Sequence, residues 1–456
     1  MKLTVVTLAL VSNYLISWNY DDGNEDHVAK QDTVVVPASH KYSRMNPLKW
    51  FFLGKNYREE WSTPVKMPVF HLTETKGGFT IEKLGGGEQT KSLHLVNKNG
   101  TEWVARSVDK NVRGALPENL QGTFIQRMVQ DQISAAYPYA ILTMYDLSKA
   151  VDIPTPTAEL YYIPDDPALG KYRPTFAHSI VFLSPKDIDG KDLKTESTDS
   201  IKTLIHSSNY YQLQQEKILT ARLFDMLIAD WDRHKGQWDW AFIDSGHTIF
   251  IYPVPEDRDQ AFFLSQGAIT QVARLFGLPH LIGFKENPKK LKKLNNKVHD
   301  FDRFYMNRLD RNNWKKSILD FQAKMTDDVI EKAVSRLPRE VHAISGNEIK
   351  QKLISRRNGL LKEGLRYYDF LAEEAVISST KDPELFTIYN YSDSTTVVVT
   401  RAKDGRKIYE RTFYSDETDE ININNIGEED KIEASGKPSI KINYHKLDAG
   451  KATDED

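Results

Sequence analysis

Apolar and polar positions along the chain change period several times, and each change predicts a different element. Lys2 is followed by an apolar run from Leu3 to Val11 that continues to Ile16. A signal-peptide core spans about 7–15 residues and a membrane-spanning helix needs about 20, so residues 1–20 read as a signal-peptide-like segment; a buried N-terminal strand is the alternative. Residues 21–45 are polar, lack helical period and read as a linker. Alternation then predicts three strands: "GFTIEKL" (78–84), "QTKSLHLV" (89–96) and "EWVARSV" (102–108). Gly85-Gly86-Gly87 and Asn97-Lys98-Asn99-Gly100 are the turns between them. Leu116 to Ala136 reads as a helix. A further helix carries Ile218, Leu219, Leu223, Phe224, Leu227 and Ile228 at three-to-four spacing. "WDWAFI" (238–243) and "TIFIYPV" (248–254) follow it as a hairpin.

The C-terminal part has its own change of period. Ile349, Leu353, Leu360, Leu361, Leu365, Tyr368 and Leu371 predict an amphipathic helix over 346–376. Short strand-like runs then alternate with turn signals at Asp393-Ser394, Asp404-Gly405 and Gly436-Lys437-Pro438. They predict a small antiparallel β domain over 383–446. Residues 447–456 form an acidic tail.

Composition narrows the classes. The 456 residues allow two to three domains. A formal net charge of −3 argues against a nucleic-acid binder. The absence of cysteine removes disulfides, thiolate metal sites and thiol nucleophiles. Beyond the N-terminal segment no stretch is long enough to span a membrane as a helix. With that segment read as a signal, the expected location is exported, in the periplasm or cell envelope; a cytoplasmic chain is the alternative.

"KLGGGEQTKSLHL" (83–95) is nearly a Walker loop, with Thr90 where the last glycine should stand. In a Walker loop the Lys-Ser pair opens a helix, whereas here Lys91-Ser92 leads into a strand. A glycine turn between antiparallel strands, a third strand and then a helix is instead the order of a protein-kinase N-lobe. There Gly85, Gly86 and Gly87 let the backbone approach phosphates, with Lys91, Arg106 or Lys110 as the phosphate-binding cation. Asp131 or Gln130 is the candidate helix partner of that cation. A plain glycine hairpin accounts for the same residues.

The second half adds carboxylates in kinase order. A kinase needs a carboxylate beside the acceptor hydroxyl, an oxygen ligand for magnesium five residues later, and a further Asp after a hairpin. Asp232, Gln237 and then Asp257 and Asp259 stand in that order. His234 either orients the loop or is a satisfied loop histidine. A surface turn held by ion pairs is the competing account of "DWDRHKGQWDW". The basic run 285–297 reads as a steering patch for an anion or as a solvated segment. Trp231, Trp238 and Trp240 read as pocket walls or as packing. No H-E-x-x-H, G-x-S-x-G or G-x-G-x-x-G pattern occurs.

"IADWDRHKGQWDWAFIDSGHTIFIYPVPEDRDQAF" resembles the catalytic segment of CotH-type spore-coat kinases, and more distantly that of HipA and the secretory-pathway Fam-type kinases. "TEWVARSVDKNVRGALPENL" resembles the CotH-like passage from strand to helix. The resemblance covers roughly 80–265. It implies an α+β, two-lobed kinase-like fold over 46–345, with an N-lobe at about 65–160 and a C-lobe at about 161–345. It implies Asp232 as catalytic base. Gln237, Asp257 and Asp259 would hold Mg or Mn, and ATP or another nucleotide would be the phosphoryl donor to an unknown acceptor. Two departures stand out: Gln237 replaces the family's Asn, and Arg106 or Lys110 replaces its usual lysine. They keep open a catalytically degenerate binding or assembly module with a cell-envelope protein partner. A metal-dependent phosphohydrolase is the third reading.

Overall fold

A computed structural model describes residues 32–446, apart from Glu88, 189–192, Ile426 and Glu428. The segment 1–20, residues 21–31 of the expected linker and the tail 447–456 lie outside the described residues. The end of the expected linker does not: β1 (Thr33–Pro37) pairs antiparallel with β2 (Pro64–Pro68). The reason is local, because Val34 and Val36 pack against the main core and Tyr42 is buried beneath them. Between these strands lie α1 (Pro47–Leu53) and α2 (Arg58–Ser62).

The three expected strands form, as β3 (Phe79–Gly85), β4 (Ser92–Asn97) and β5 (Glu102–Ser107). The long helix expected over 116–136 is shorter. Gly122 turns the chain with φ +74°, Thr123 caps the first turn, and only α3 (Phe124–Gln132) is α-helical. Then come α4 (Ile141–Ala150), β6 (Glu159–Ile163), α5 (Arg173–Phe176) and β7 (Ser179–Pro185). The sheet is antiparallel throughout, in the order β3-β4-β5-β7-β6. Leu93, Leu95, Ala105, Val181 and Leu183 alternate onto one face and form a small core with Phe70, Phe79 and Phe176.

The rest of the body is mostly helical. In order it contains β8 (Glu196–Ser197), α6 (Thr198–Ser207), β9 (Tyr211–Leu213), α7 (Gln215–Ile228), β10 (Trp238–Asp244) and β11 (Ile249–Pro255). There follow α8 (Ala268–Leu275), α9 (Leu291–Leu294), α10 (His299–Tyr305), α11 (Arg311–Lys324), α12 (Asp327–Val334), α13 (Arg339–Val341) and α14 (Asn347–Ala372). Helix α7 is buried nearly all round and is the spine of the main core. Helix α14 packs on it through Leu353 and Leu360. Arg356 of α14 donates to the carbonyls of Met226 and Leu227, which α7's last turn cannot bond itself. The end of α7 is thus fixed where the candidate site begins.

The C-terminal β domain is not simply antiparallel. It comprises β12 (Glu374–Ser378), β13 (Glu384–Asn390), β14 (Ser394–Arg401), β15 (Lys407–Tyr414), β16 (Glu420–Asn425), β17 (Lys431–Ser435) and β18 (Lys441–Lys446). One sheet, β12-β16-β18, is parallel; the other, β15-β14-β13-β17, is antiparallel except for the β13–β17 pair. Only β13–β14 and β14–β15 are hairpins. The later strands cross between the sheets, which tight-turn signals do not reveal. Alternate residues such as Phe386, Ile388, Val397, Val399, Ile421 and Ile423 fill the space between.

This domain is joined to the body by buried polar contacts. Asn209 donates to Glu384 at 3.2 Å, Asn307 donates to the carbonyl of Val376 at 2.9 Å, and Ser208 donates to Asp382 at 2.6 Å. Burial pushes the Glu384 carboxyl up to about 7, against the bonds from Thr380 and Asn209. Burial drives the neighbouring His206 down to about 4. An acid whose folded pKa is raised binds more protons folded than unfolded, so stability falls as pH rises from about 4.5 to 7. His206 has the opposite sign and costs stability as pH falls from 6.5 towards 4. Glu384→Gln keeps the principal acceptor and removes the first cost, on the order of 3 kcal/mol. Melting curves at pH 5 and pH 8 are expected to show the variant gaining on the parent at pH 8 only; parallel curves would refute this.

Candidate functional site

The site is built where the five-stranded sheet meets the turn after β11. Arg106, near the end of β5, and Lys110, just beyond it, reach Asp257 and Asp259 on that turn. The Arg106 guanidinium lies 3.0 Å from Asp257 Oδ2, and the Lys110 ammonium contacts Asp259 Oδ2. Arg106 and Lys110, weighed in the sequence as alternatives, therefore both face the acidic turn. The glycine turn is tied to the same segment. The carbonyl of Gln89 accepts from Asn111 and that of Lys91 accepts from Ser107, while the Lys91 side chain is exposed. Gly86 has φ +102°, and a Cβ there would lie 2.3 Å from the Thr90 carbonyl oxygen, so only glycine closes this turn. Gly85 abuts the His94 ring, and Gly87 is open.

The helix partner differs from expectation. Asp131 is paired with Arg58, and with Lys49 at 2.6 Å, not with Arg106 or Lys110. Consecutive helical residues point about 100° apart, and here Gln130 takes the side facing β5. It donates to the Lys110 carbonyl at 2.7 Å and accepts from the Val112 amide at 3.2 Å. Lys110 thus has an amide neighbour on α3 and its carboxylate partner on the distant turn.

The catalytic-loop candidates follow α7. Ala229 ends the helix in the left-handed conformation. Asp257 at φ +48° and Phe262 at φ +65° repeat that conformation on the other side of the site. Left-handed backbone at three non-glycine residues around one cluster costs about 1 kcal/mol or more each and is held by the surroundings. Asp232 is partly exposed, and its Oδ1 lies 2.8 Å from Lys297 Nζ. The basic run 285–297 therefore sends one lysine to the loop, while its Leu291, Leu294 and Asn295 are buried. His234 is exposed and accepts from the Gly236 amide, shaping the turn that leads to Gln237. Gln237 is buried beside the acidic turn, and its carbonyl accepts from the Glu256 amide at 3.0 Å. Trp238 and Trp240 are packing residues, stacked with Phe301 and Tyr305.

Beneath these side chains lies a buried charge network that the sequence reading missed. Asp225 accepts from Arg233 through both oxygens at 3.0 Å and from Arg222 at 2.8 Å, and Arg258 lies 3.5 Å away. Arg222 also donates to Asp302, which accepts from Tyr367 of α14. Arg233 continues to the carbonyls of Gln237 and Glu256, bracing both loops. Charged residues inside the apolar run of α7 were the available signal, since a lone Arg or Asp is almost never fully buried unpaired.

The electrostatics follow from burial against pairing. Burial pushes Asp225 up, but its three arginines outweigh it and hold it below the usual range. Asp230 is also wholly buried, and its carboxyl sits at about 7: burial outweighs Arg233, and Asp225 and Asp259 add repulsion. Asp257 is raised by burial and by Asp259. Asp259 is lowered because Lys110 overcomes its burial. The oxygens Asp257 Oδ1, Gln237 Oε1 and Asp230 Oδ2 are buried with no hydrogen-bond partner. Among the described residues, no group of three or more His, Cys, Asp or Glu side chains is placed to hold a metal ion.

No family model matches the sequence, and no curated protein matches it. Solved structures to which the chain is similar include the proinflammatory kinase CtkA of Helicobacter pylori, at 9% identity over 60% of this chain and 94% of that chain, TM-score 0.33. A second is a chain from the Shewanella oneidensis MR-1 toxin–antitoxin complex of HipA, HipB and operator DNA. It matches at 12% identity over 61% of this chain and 65% of that chain, TM-score 0.31. These scores describe a mixed helix-and-sheet likeness and do not bear on activity.

Proposed function

We propose that the chain is an atypical kinase-like phosphotransferase that holds a nucleotide's phosphates between Arg106 and Lys110 on one side and the 256–260 turn on the other. The observation that carries this reading is the pair of ionic contacts, Arg106–Asp257 and Lys110–Asp259, joining a glycine-turn sheet to an acidic turn. Two cations for phosphate and two carboxylates for a divalent ion are the parts phosphoryl transfer needs, and positioning and charge neutralisation do most of that work.

The donor set fits Mg or Mn. Asp257 Oδ1 and Gln237 Oε1 are acceptor oxygens, buried and without donors, and Asp259 adds a second carboxylate. Mg²⁺ is commonly held by one or two carboxylates, with substrate phosphates completing the shell. When bound, it would neutralise phosphate charge. Arg106 and Lys110 would then turn from the carboxylates to phosphate oxygens. Asp232 is the partly exposed carboxylate available to an acceptor hydroxyl, and Lys297 holds it in place. The location remains proposed as the cell envelope; among the described residues no helix is long and apolar enough to cross a membrane.

The degenerate binding module is favoured by one observation: both cations are already neutralised by the turn's own carboxylates, so a ligand must compete for them. Thermal melting separates binding from its absence. ATP with Mg²⁺ or Mn²⁺ at about 100 times its dissociation constant contributes roughly 2.7 kcal/mol, a rise of several degrees. Asp257→Ala and Asp259→Ala should each abolish the rise. No shift with any nucleotide, or a shift that survives Asp257→Ala, sinks the proposal.

A further inference from the structure

Three short helices near the site are amphipathic the wrong way round. A surface helix normally turns its apolar stripe inward and its polar stripe to water. In α8, Val272, Leu275 and Phe276 share one face and point outward; Leu275 is 79% exposed and Phe276, just past its end, 83%. Trp50 and Phe51 of α1 and Phe124 of α3 are likewise more than half exposed. The inward contacts are polar. Lys49 of α1 pairs with Asp131 of α3, and Thr270 of α8 donates to Gln132 of α3 at 3.1 Å. Gln132 also donates to the carbonyl of Leu53, at the end of α1. Gly267 lets the start of α8 approach this backbone, since a Cβ there would lie 2.5 Å from the Leu53 carbonyl carbon. The three helices therefore form one cluster with its apolar sides outward.

The charges on this cluster say what covers it. Its outward basic residues are Arg127 and Arg274, since Lys49 is paired inward with Asp131. Its only acid, Asp131, is turned inward and neutralised by Arg58 and Lys49. An exposed apolar face carrying aromatics, with cations and no free carboxylate, matches the interface of an anionic bilayer, where rings enter the acyl boundary and guanidinia meet phosphates. We infer that α1, α3 and α8 form a peripheral docking face for an anionic phospholipid surface. The inference stands independently of phosphoryl transfer. Because Gln130 of α3 is bonded to the Lys110 backbone, docking would also bear on the phosphate-binding segment.

The test is co-sedimentation of the full chain with vesicles of phosphatidylcholine alone or mixed with phosphatidylglycerol. The parent is expected to bind the mixed vesicles. Phe51→Ser combined with Phe276→Ser should weaken that binding at least about tenfold. Arg127→Glu combined with Arg274→Glu should remove the preference for phosphatidylglycerol. Phe51, Arg127 and Phe276 are exposed and Arg274 is partly exposed, so unchanged melting temperatures would show that the variants fold. Failure of the parent to bind overturns the inference. Undiminished binding by the Phe51/Phe276 variant overturns it too, and assigns lipid contact to the Leu3–Ile16 run. A dimer of the parent that this variant dissociates, without vesicle binding, overturns it in favour of a second copy of the chain.

Discussion

Asp225→Ala is expected to lower the melting temperature by roughly 5 °C, with a loss on the order of 4 kcal/mol. The magnitude follows from what is left behind. Arg222 and Arg233 are fully buried and depend on this carboxylate, and Arg258 lies beside it. Removing it leaves three guanidinia in the core, with Arg222 still paired to Asp302 and Arg233 3.7 Å from Asp230. Such uncompensated charge typically costs 3–5 kcal/mol, several times the value of an exposed pair. The exposed Asp300→Ala is the control and should move stability by less than about 0.5 kcal/mol. Chemical denaturation of parent and both variants checks the ranking. A loss below about 1 kcal/mol for Asp225→Ala would show that the network does not hold the loops.

That network also marks the limit of what the sequence revealed. Period-two and period-3.6 patterns placed β3, β4, β5, α7, the β10–β11 hairpin and α14 within a few residues, because apolar residues recur at strand or helix spacing in each, even in α7, which is buried nearly all round. They placed Asp131 on a helix but could not tell its direction from that of Gln130. One residue turns the side chain by about 100°, and Arg58, far away in sequence, takes the aspartate. Pairing of strands distant in sequence was equally hidden, since parallel partners such as β12 and β16 are joined by no local turn. The candidate acids were legible as an ordered set because they sit on two loops that follow each other in the chain, before and after the β10–β11 hairpin. The arginines bracing those loops were not, since a charged residue in an apolar helix looks like a break in the pattern until its partner is known. The same blindness applied to α1, α3 and α8. Apolar positions in α1, α3 and α8 do not say which side turns inward, and only the fold shows that polar clasps occupy the inner side.

Asp232→Asn is expected to reduce phosphoryl transfer by roughly 10²–10⁴-fold, with nucleotide affinity little changed. Two acids compete for the role of base. Asp230 is wholly buried, its Oδ1 accepts from the Asp232 amide at 3.0 Å, and its carboxyl sits at about 7. That pKa would suit a base at neutral pH, but no acceptor hydroxyl reaches a group with 2% exposure. Asp232 is open to solvent on one side and steadied on the other by Lys297, which also lies 4.9 Å from the Trp231 ring centre. Asp230→Asn keeps the Oδ1 acceptor that shapes the loop and should retain activity within about tenfold. Single-turnover assays with γ-labelled nucleotide measure both variants, and the fate of the label separates transfer to a hydroxyl from hydrolysis. If Asp230→Asn falls furthest, the proton passes through the buried acid and Asp232 only orients the loop. If the parent binds nucleotide yet releases no label to hydroxyl or water, the base assignment fails. The pairing of Arg106 and Lys110 with Asp257 and Asp259 then belongs to a binding module.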